Sequence, residues 1–174
     1  MSNLLSFEIK QHEAYRFIGK SVYARAGMQC GDAYFNDFLF ENTNWMREKL
    51  DEMQEYTSDI IQNAALMTWE KYCDKTKLLG FTYGRFMKPE TPVPDGMDYF
   101  DIAEGYMAIG LFDNWDNGNQ EGDVKKAIDE QGGYKNASWR FMGELNHGDG
   151  NFGYFISCDK ATTDDANMTA GTSP

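Results

Sequence analysis

A chain of 174 residues that is 41% apolar and 15% aromatic is long enough for one well-buried core, too short for two ordinary domains, and unlike a disordered composition. Its formal net charge of −12, with no cluster of Lys or Arg, argues against direct nucleic-acid binding, and an acidic surface raises the local concentration of cationic ligands. No segment approaches the ~20 apolar residues of a membrane span, and Met1 to Phe17 lacks the apolar centre of a signal peptide, so the cytoplasm is the expected location.

In chain order, Phe7 to Glu13 alternates weakly, and Tyr15 to Ala24 continues it as a bent or bulged strand. After an irregular stretch around Gly27 to Asp32, Asn42-Thr43 reads as a helix cap. Behind it, Met46, Leu50 and Met53 form the apolar stripe. A second start signal at Thr57-Ser58-Asp59 precedes Ile61, Ala64 or Ala65, Trp69 and Tyr72 at helical spacing, so a broken or second helix is expected up to Asp74. Leu78 to Phe86 is a β-rich run, and Pro89, Pro92 and Pro94 hold the following loop extended.

The segment from Val93 to Ile109 places a Pro-Asp-Gly turn before alternating residues. A Glu104-Gly105 hinge and a second apolar run then lead to Phe112, which reads as two short strands. A polar loop from Asp113 to Gly122 leads to a short helix expected to be capped by Asp123 and stopped by Gly132-Gly133. Ser138 to Asn146 and Phe152 to Cys158 form a hairpin through the turn formers His147 to Asn151. The tail from residue 161 to 174, rich in Thr, Asp and Ala without an apolar period, is expected to be disordered, leaving residues 1 to 160 as one domain.

The catalytic and metal templates do not fit. His12 and His147 have neither metal-ligand spacing nor an evident triad partner. Cys30, Cys73 and Cys158 show no C-x-x-C spacing. The run beginning at Asp113 lacks the ligand order of a calcium loop. No glycine-rich loop has a P-loop or dinucleotide pattern. Neither a metal nor a cofactor is therefore expected.

Glu144 is the residue out of character, a carboxylate inside a Trp/Phe/Met-rich strand. By the two-residue period, Arg140, Met142, Glu144 and Asn146 share one face, opposite Trp139, Phe141 and Leu145. Two outcomes stay open. Glu144 faces a cavity, or it is a surface carboxylate that Arg140 neutralises. Twelve Phe, ten Tyr and four Trp exceed what a small core needs, and the surplus can wall a cavity for a flat apolar cation. Trp69, Tyr72, Tyr83, Tyr106, Trp115 and Tyr154 are the candidates.

The segment Val93 to Ile109 resembles the joint of the GyrI-like, or AraC effector-binding, small-molecule-binding family. That family writes P-x-G, a strand, I-x-(A/G)-G-x-Y-A and another strand there. The Tyr15 to Gly19 run and Gly80-Phe81-Thr82-Tyr83-Gly84 also resemble its strands, and the resemblance covers roughly residues 5 to 160. It implies an α+β fold of two strand-helix-strand-strand units. The sheet would be antiparallel, with helices on one side and a central ligand cavity. It further implies a glutamate at the cavity floor that pairs with lipophilic cations, here Glu144 with Met142 and the aromatics named above. Relatives are often fused to helix-turn-helix domains in transcription regulators of the multidrug-binding type. This chain has no room for one, so it is expected to sequester a ligand or report it through a protein partner. Two alternatives come from the same resemblance. One is a hydrolase of reactive small molecules with Glu144 as general base, and the other a protein-interaction module of the gyrase-inhibitor type.

Overall fold

The computed structural model describes residues 4–25, 33–60, 62–68, 78–113, 119–138, 140–147 and 151–162. Strands β1 (Leu4–His12) and β2 (Tyr15–Arg25) precede helix α1 (Ala33–Asp51), a short 3-10 turn (Gln54–Tyr56), and strands β3 (Ala64–Thr68) and β4 (Leu78–Met87). The second half repeats the plan with β5 (Asp98–Ile102), β6 (Gly105–Phe112), helix α2 (Gln120–Gln131), and β7 (Tyr134–Asn136), β8 (Met142–Asn146) and β9 (Phe152–Lys160). This is the expected α+β duplication.

The nine strands of the described residues form one antiparallel sheet in the order β1-β6-β9-β8-β3-β4-β2-β5, with β7 added beside β9. β1 pairs with β6 and β2 with β5 in one common register, His12 opposite Gly105 and Tyr15 opposite Ile102. The two halves therefore share a pair of long ribbons, each bent once, at Glu13-Ala14 and at Ala103-Glu104. The continuation read from Tyr15 to Ala24 is a separate strand, β2, and the break falls at Glu13-Ala14. The two arms of each ribbon then join different neighbours: β2 lies against β4, and β6 against β9.

The central pair is β3 and β8, where each half contributes its inner strand. Here the expectation of a helix through Ala64, Ala65, Trp69 and Tyr72 is corrected. Residues 64–68 are a strand, and residues 69–77 lie outside the described residues. Ala64, Ala65, Leu66 and Met67 are all buried. A strand covered on both faces loses the alternation that marks strands, and these residues are good helix formers.

Helix α1 begins well before Asn42-Thr43. The stripe of Met46 and Leu50, with Met53 beside them, marks where the helix meets the sheet, against Ile18, Met87 and Met97. Helix α2 is capped by Asn119, whose side chain accepts from the Gly122 amide, and not by Asp123. It stops at Gly132 and Gly133, with φ of 68° and 75°, as the paired glycines imply. Among the described residues no helix is long and apolar enough to cross a membrane. The part of the tail from residue 163 to 174 lies outside the described residues.

The two faces of the sheet differ. α1 packs on β2 and β4, and α2 packs on β1, β6, β7 and β9, on the same face. The other face carries no described helix and buries Phe17, Phe86, Phe155, Phe141, Met67, Met107 and Leu145 around Ile60. Phe86 stands edge-on to both Phe17 and Phe155, with centroids 4.9 and 5.1 Å away, the favoured geometry for ring quadrupoles. Gln62 binds β4 through both ends of its amide, to the Phe86 carbonyl at 2.9 Å and from the Phe86 amide at 3.1 Å.

Gly19 faces Gly84 across β2 and β4. A β-carbon on Gly19 would lie 2.1 Å from the Tyr83 carbonyl oxygen, and one on Gly84 2.0 Å from that of Ile18. Gly84→Val should therefore lower unfolding stability by roughly 1–3 kcal/mol or more. Urea denaturation of the purified variant measures this, and a change within error would refute the close approach.

Candidate functional site

The register across the sheet builds one transverse row. Successive partners are Lys20, Tyr83, Leu66, Glu144, Tyr154, Gly110 and Phe7, on β2, β4, β3, β8, β9, β6 and β1. Directly opposed residues project to the same face. Tyr83 packs in the cluster of α1 and Tyr154 in that of α2, so the row lies on the helix-bearing face. Its middle members, Leu66 and Glu144, lie between the two helices.

A cavity of about 300 Å³ opens over this centre, lined by Ala64, Ala65, Leu66, Tyr83, Glu144, Leu145, Asn146 and Phe152. The wall is apolar and aromatic apart from Glu144 and Asn146. Among the described residues, no hydrogen-bond donor or cation contacts the Glu144 carboxylate. Burial alone pushes its pKa up, to about 7, because a desolvated carboxylate resists ionisation.

Of the residues named from sequence, Glu144 and Tyr83 line one cavity. Tyr154 stands next to Glu144 in the row, and Met142 shares its face, but both pack toward α2. Tyr106 is on the same face at a distance: its ring lies 5.3 Å from that of Tyr134, with the Lys160 ammonium 5.1 Å above it. Trp69, Tyr72 and Trp115 lie outside the described residues.

Arg140 does not neutralise Glu144. It precedes β8 in a turn, and its guanidinium binds the Asp159 carboxylate and, at 3.2 Å, the Cys158 carbonyl. The two-residue period fails at Arg140 because the strand begins only at Met142. Leu66 and Phe152 were missed. Leu66 gave no signal because its strand reads as a helix, whereas Phe152 was legible as a hairpin residue but not as a cavity wall.

No protein-family model and no curated protein sequence matches the chain. Among solved structures, SAV2435 bound to tetraphenylphosphonium has a TM-score of 0.61 and 9% sequence identity, over 89% of this chain and 94% of that one. A candidate bacterial transcription regulation protein from Staphylococcus aureus MU50 scores 0.61 at 12% identity, over 88% and 98%. EcmrR in its complex with DNA scores 0.50 at 8% identity, over 90% of this chain and 58% of that one. At these identities the likeness is one of fold. The chain shares the α+β fold of these structures, the fold class that its sequence resemblance implies.

The desolvated carboxylate carries a stability consequence. Its folded-state pKa of about 7 exceeds the ordinary 4.5, so the folded form holds its proton more tightly than the unfolded one. That stabilisation is complete below pH 4.5, declines as pH rises through about 7, and is gone above. The loss is on the order of 3 kcal/mol. Glu144→Gln should remove this slope and exceed the wild type in stability near pH 8 by up to about 3 kcal/mol. Urea unfolding at acidic and alkaline pH reads both quantities, and parallel pH profiles would contradict the assignment.

Proposed function

We propose that this chain is an effector-binding domain that takes up lipophilic organic cations in the cavity over β3 and β8, with Glu144 as their counter-ion. The observation that carries this reading is the single carboxylate, without a partner among the described residues, set between Leu66, Tyr83 and Phe152. An apolar wall supplies dispersion and desolvation, aromatic faces attract a cation, and a desolvated carboxylate rewards positive charge more than an exposed one does. The net charge of −12 favours the approach of cations. The fold shared with a protein bound to tetraphenylphosphonium supports the same class of ligand. The bound ligand's signal would pass through a protein partner, because the acidic sequence holds no cluster of Lys or Arg for nucleic acid.

Tetraphenylphosphonium is a suitable probe, being large, aromatic and permanently charged. Its calorimetric titration should show binding that Glu144→Gln weakens by roughly 30-fold or more, as for removal of one member of a buried charge pair. A neutral ligand of matched shape, such as tetraphenylmethane made soluble with detergent or a neutral triaryl analogue, should be spared. A loss below about threefold for the cation, or equal losses for both, would overturn the reading.

Cation binding requires the ionised carboxylate, whose pKa stands at about 7. Affinity should therefore rise with pH by up to roughly tenfold per unit below neutrality and level off above it. In Glu144→Gln the profile should be flat. Affinity independent of pH in the wild type would refute a counter-ion at this position.

A second reading rests on the same raised pKa, which suits a general base near neutral pH. Glu144 would then activate water against a reactive small molecule held in the cavity. Time-dependent loss of an aryl ester or epoxide, abolished by Glu144→Gln, would establish it; stable binding without turnover would exclude it.

A further inference from the structure

On the face opposite Glu144, a second cavity of about 390 Å³ lies at the bend of the two long ribbons. Met67, Phe100, Ile102 and Phe141 give it apolar walls, and His12 supplies a polar one. His12 is only 4% exposed. Its ring is stacked on Tyr15, with centroids 5.0 Å apart and planes 16° from parallel, which holds it in one orientation.

The hydrogen bonding sets the tautomer. Nδ1 stands 2.7 Å from the Glu13 carbonyl oxygen, an acceptor only, so Nδ1 carries the hydrogen and Nε2 a lone pair. Burial holds the imidazole pKa below its ordinary value, so the neutral ring is the form present near pH 7. Among the described residues nothing donates to Nε2. Its edge lies over Gly105, where a β-carbon would sit 3.6 Å from Nε2. Nε2 therefore presents an acceptor at the open side of the cavity that a donor from outside can meet.

Two of the charged groups at this cavity have partners of opposite charge. Arg16 donates to Asp101 at 2.7 Å, and Arg140 is bound to Asp159. Glu104 is exposed at the bend. Among the described residues the inner wall of the site is thus apolar with one aimed acceptor, and the carboxylate of Glu104 stands at its exposed rim. We propose that this cavity is a second binding site, separate from the Glu144 groove, for a small neutral aromatic molecule with one O–H or N–H donor, of the phenol or indole type. The donor meets His12 Nε2, and the ring lies against Met67, Phe100 and Phe141.

The test uses the full chain and phenol, with toluene as the donor-free control. The chain has two histidines, so side-chain nitrogen resonances are simple to assign. Phenol should shift the His12 Nε2 resonance saturably and bind roughly fivefold or more tighter than toluene. Gly105→Ala places a methyl over Nε2 at ordinary contact distance and should abolish that preference. Glu144→Gln should leave the phenol titration unchanged. Equal affinity for phenol and toluene, an unmoved His12 resonance at saturation, or loss of phenol binding in Glu144→Gln would each overturn the proposal. If Gly105→Ala does not fold, the wild-type comparison of phenol with toluene decides it.

Discussion

The register between β3 and β8 is the constraint on which the architecture turns. It joins the two halves at the centre of the sheet and sets Leu66 directly opposite Glu144. The approach of these strands is close: a β-carbon on Gly143 would lie 1.9 Å from the Leu66 carbonyl oxygen, so only glycine fits beside Glu144. A slip of one residue would turn Glu144 into the Phe-rich core on the other face. That alternative buries a carboxylate among Phe86, Phe141 and Phe155, which is prohibitive without a partner. Hydrophobic patterning and the backbone contact at Gly143 thus select the same alignment.

With that alignment set, the two faces take different roles. The face without described helices is packed by edge-on aromatic rings, and the segment before β3 is fastened over it. Asp59 receives the Tyr15 hydroxyl at 2.5 Å and the Lys10 ammonium at 2.6 Å, and Gln62 mimics a strand residue beside Phe86. The opposite face is divided by two helices that cover the outer strands and flank the central pair. A groove follows from the duplication itself, since each half brings one helix, α1 over β2 and β4 and α2 over β1, β6, β7 and β9.

The groove and the bend differ in chemistry. Glu144 is an acid whose proton is retained because the charged form is desolvated. His12 is a neutral ring oriented by one carbonyl and one aromatic neighbour, and it offers an acceptor instead of a charge. Each polar group lies among apolar walls, where a single directed interaction discriminates among ligands of similar size.

The strands from Tyr15, Leu78, Asp98 and Gly105, the final hairpin and the stop of α2 at Gly132-Gly133 were all legible. Each rests on local chemistry: alternation, turn formers or a glycine able to take positive φ. The oddity of Glu144 was legible too, because a carboxylate among Trp, Phe and Met breaks the local pattern. The strand at residues 64–68 was not. Ala, Leu and Met favour a helix locally, and only pairing with β4 and β8, distant in sequence, makes that segment extended and buries both its sides. The separation of Arg140 from Glu144 likewise depended on where β8 starts, which is decided by its partners. Local propensity therefore wrote the elements and marked the unusual residue, while long-range strand pairing decided which side chains stand around it.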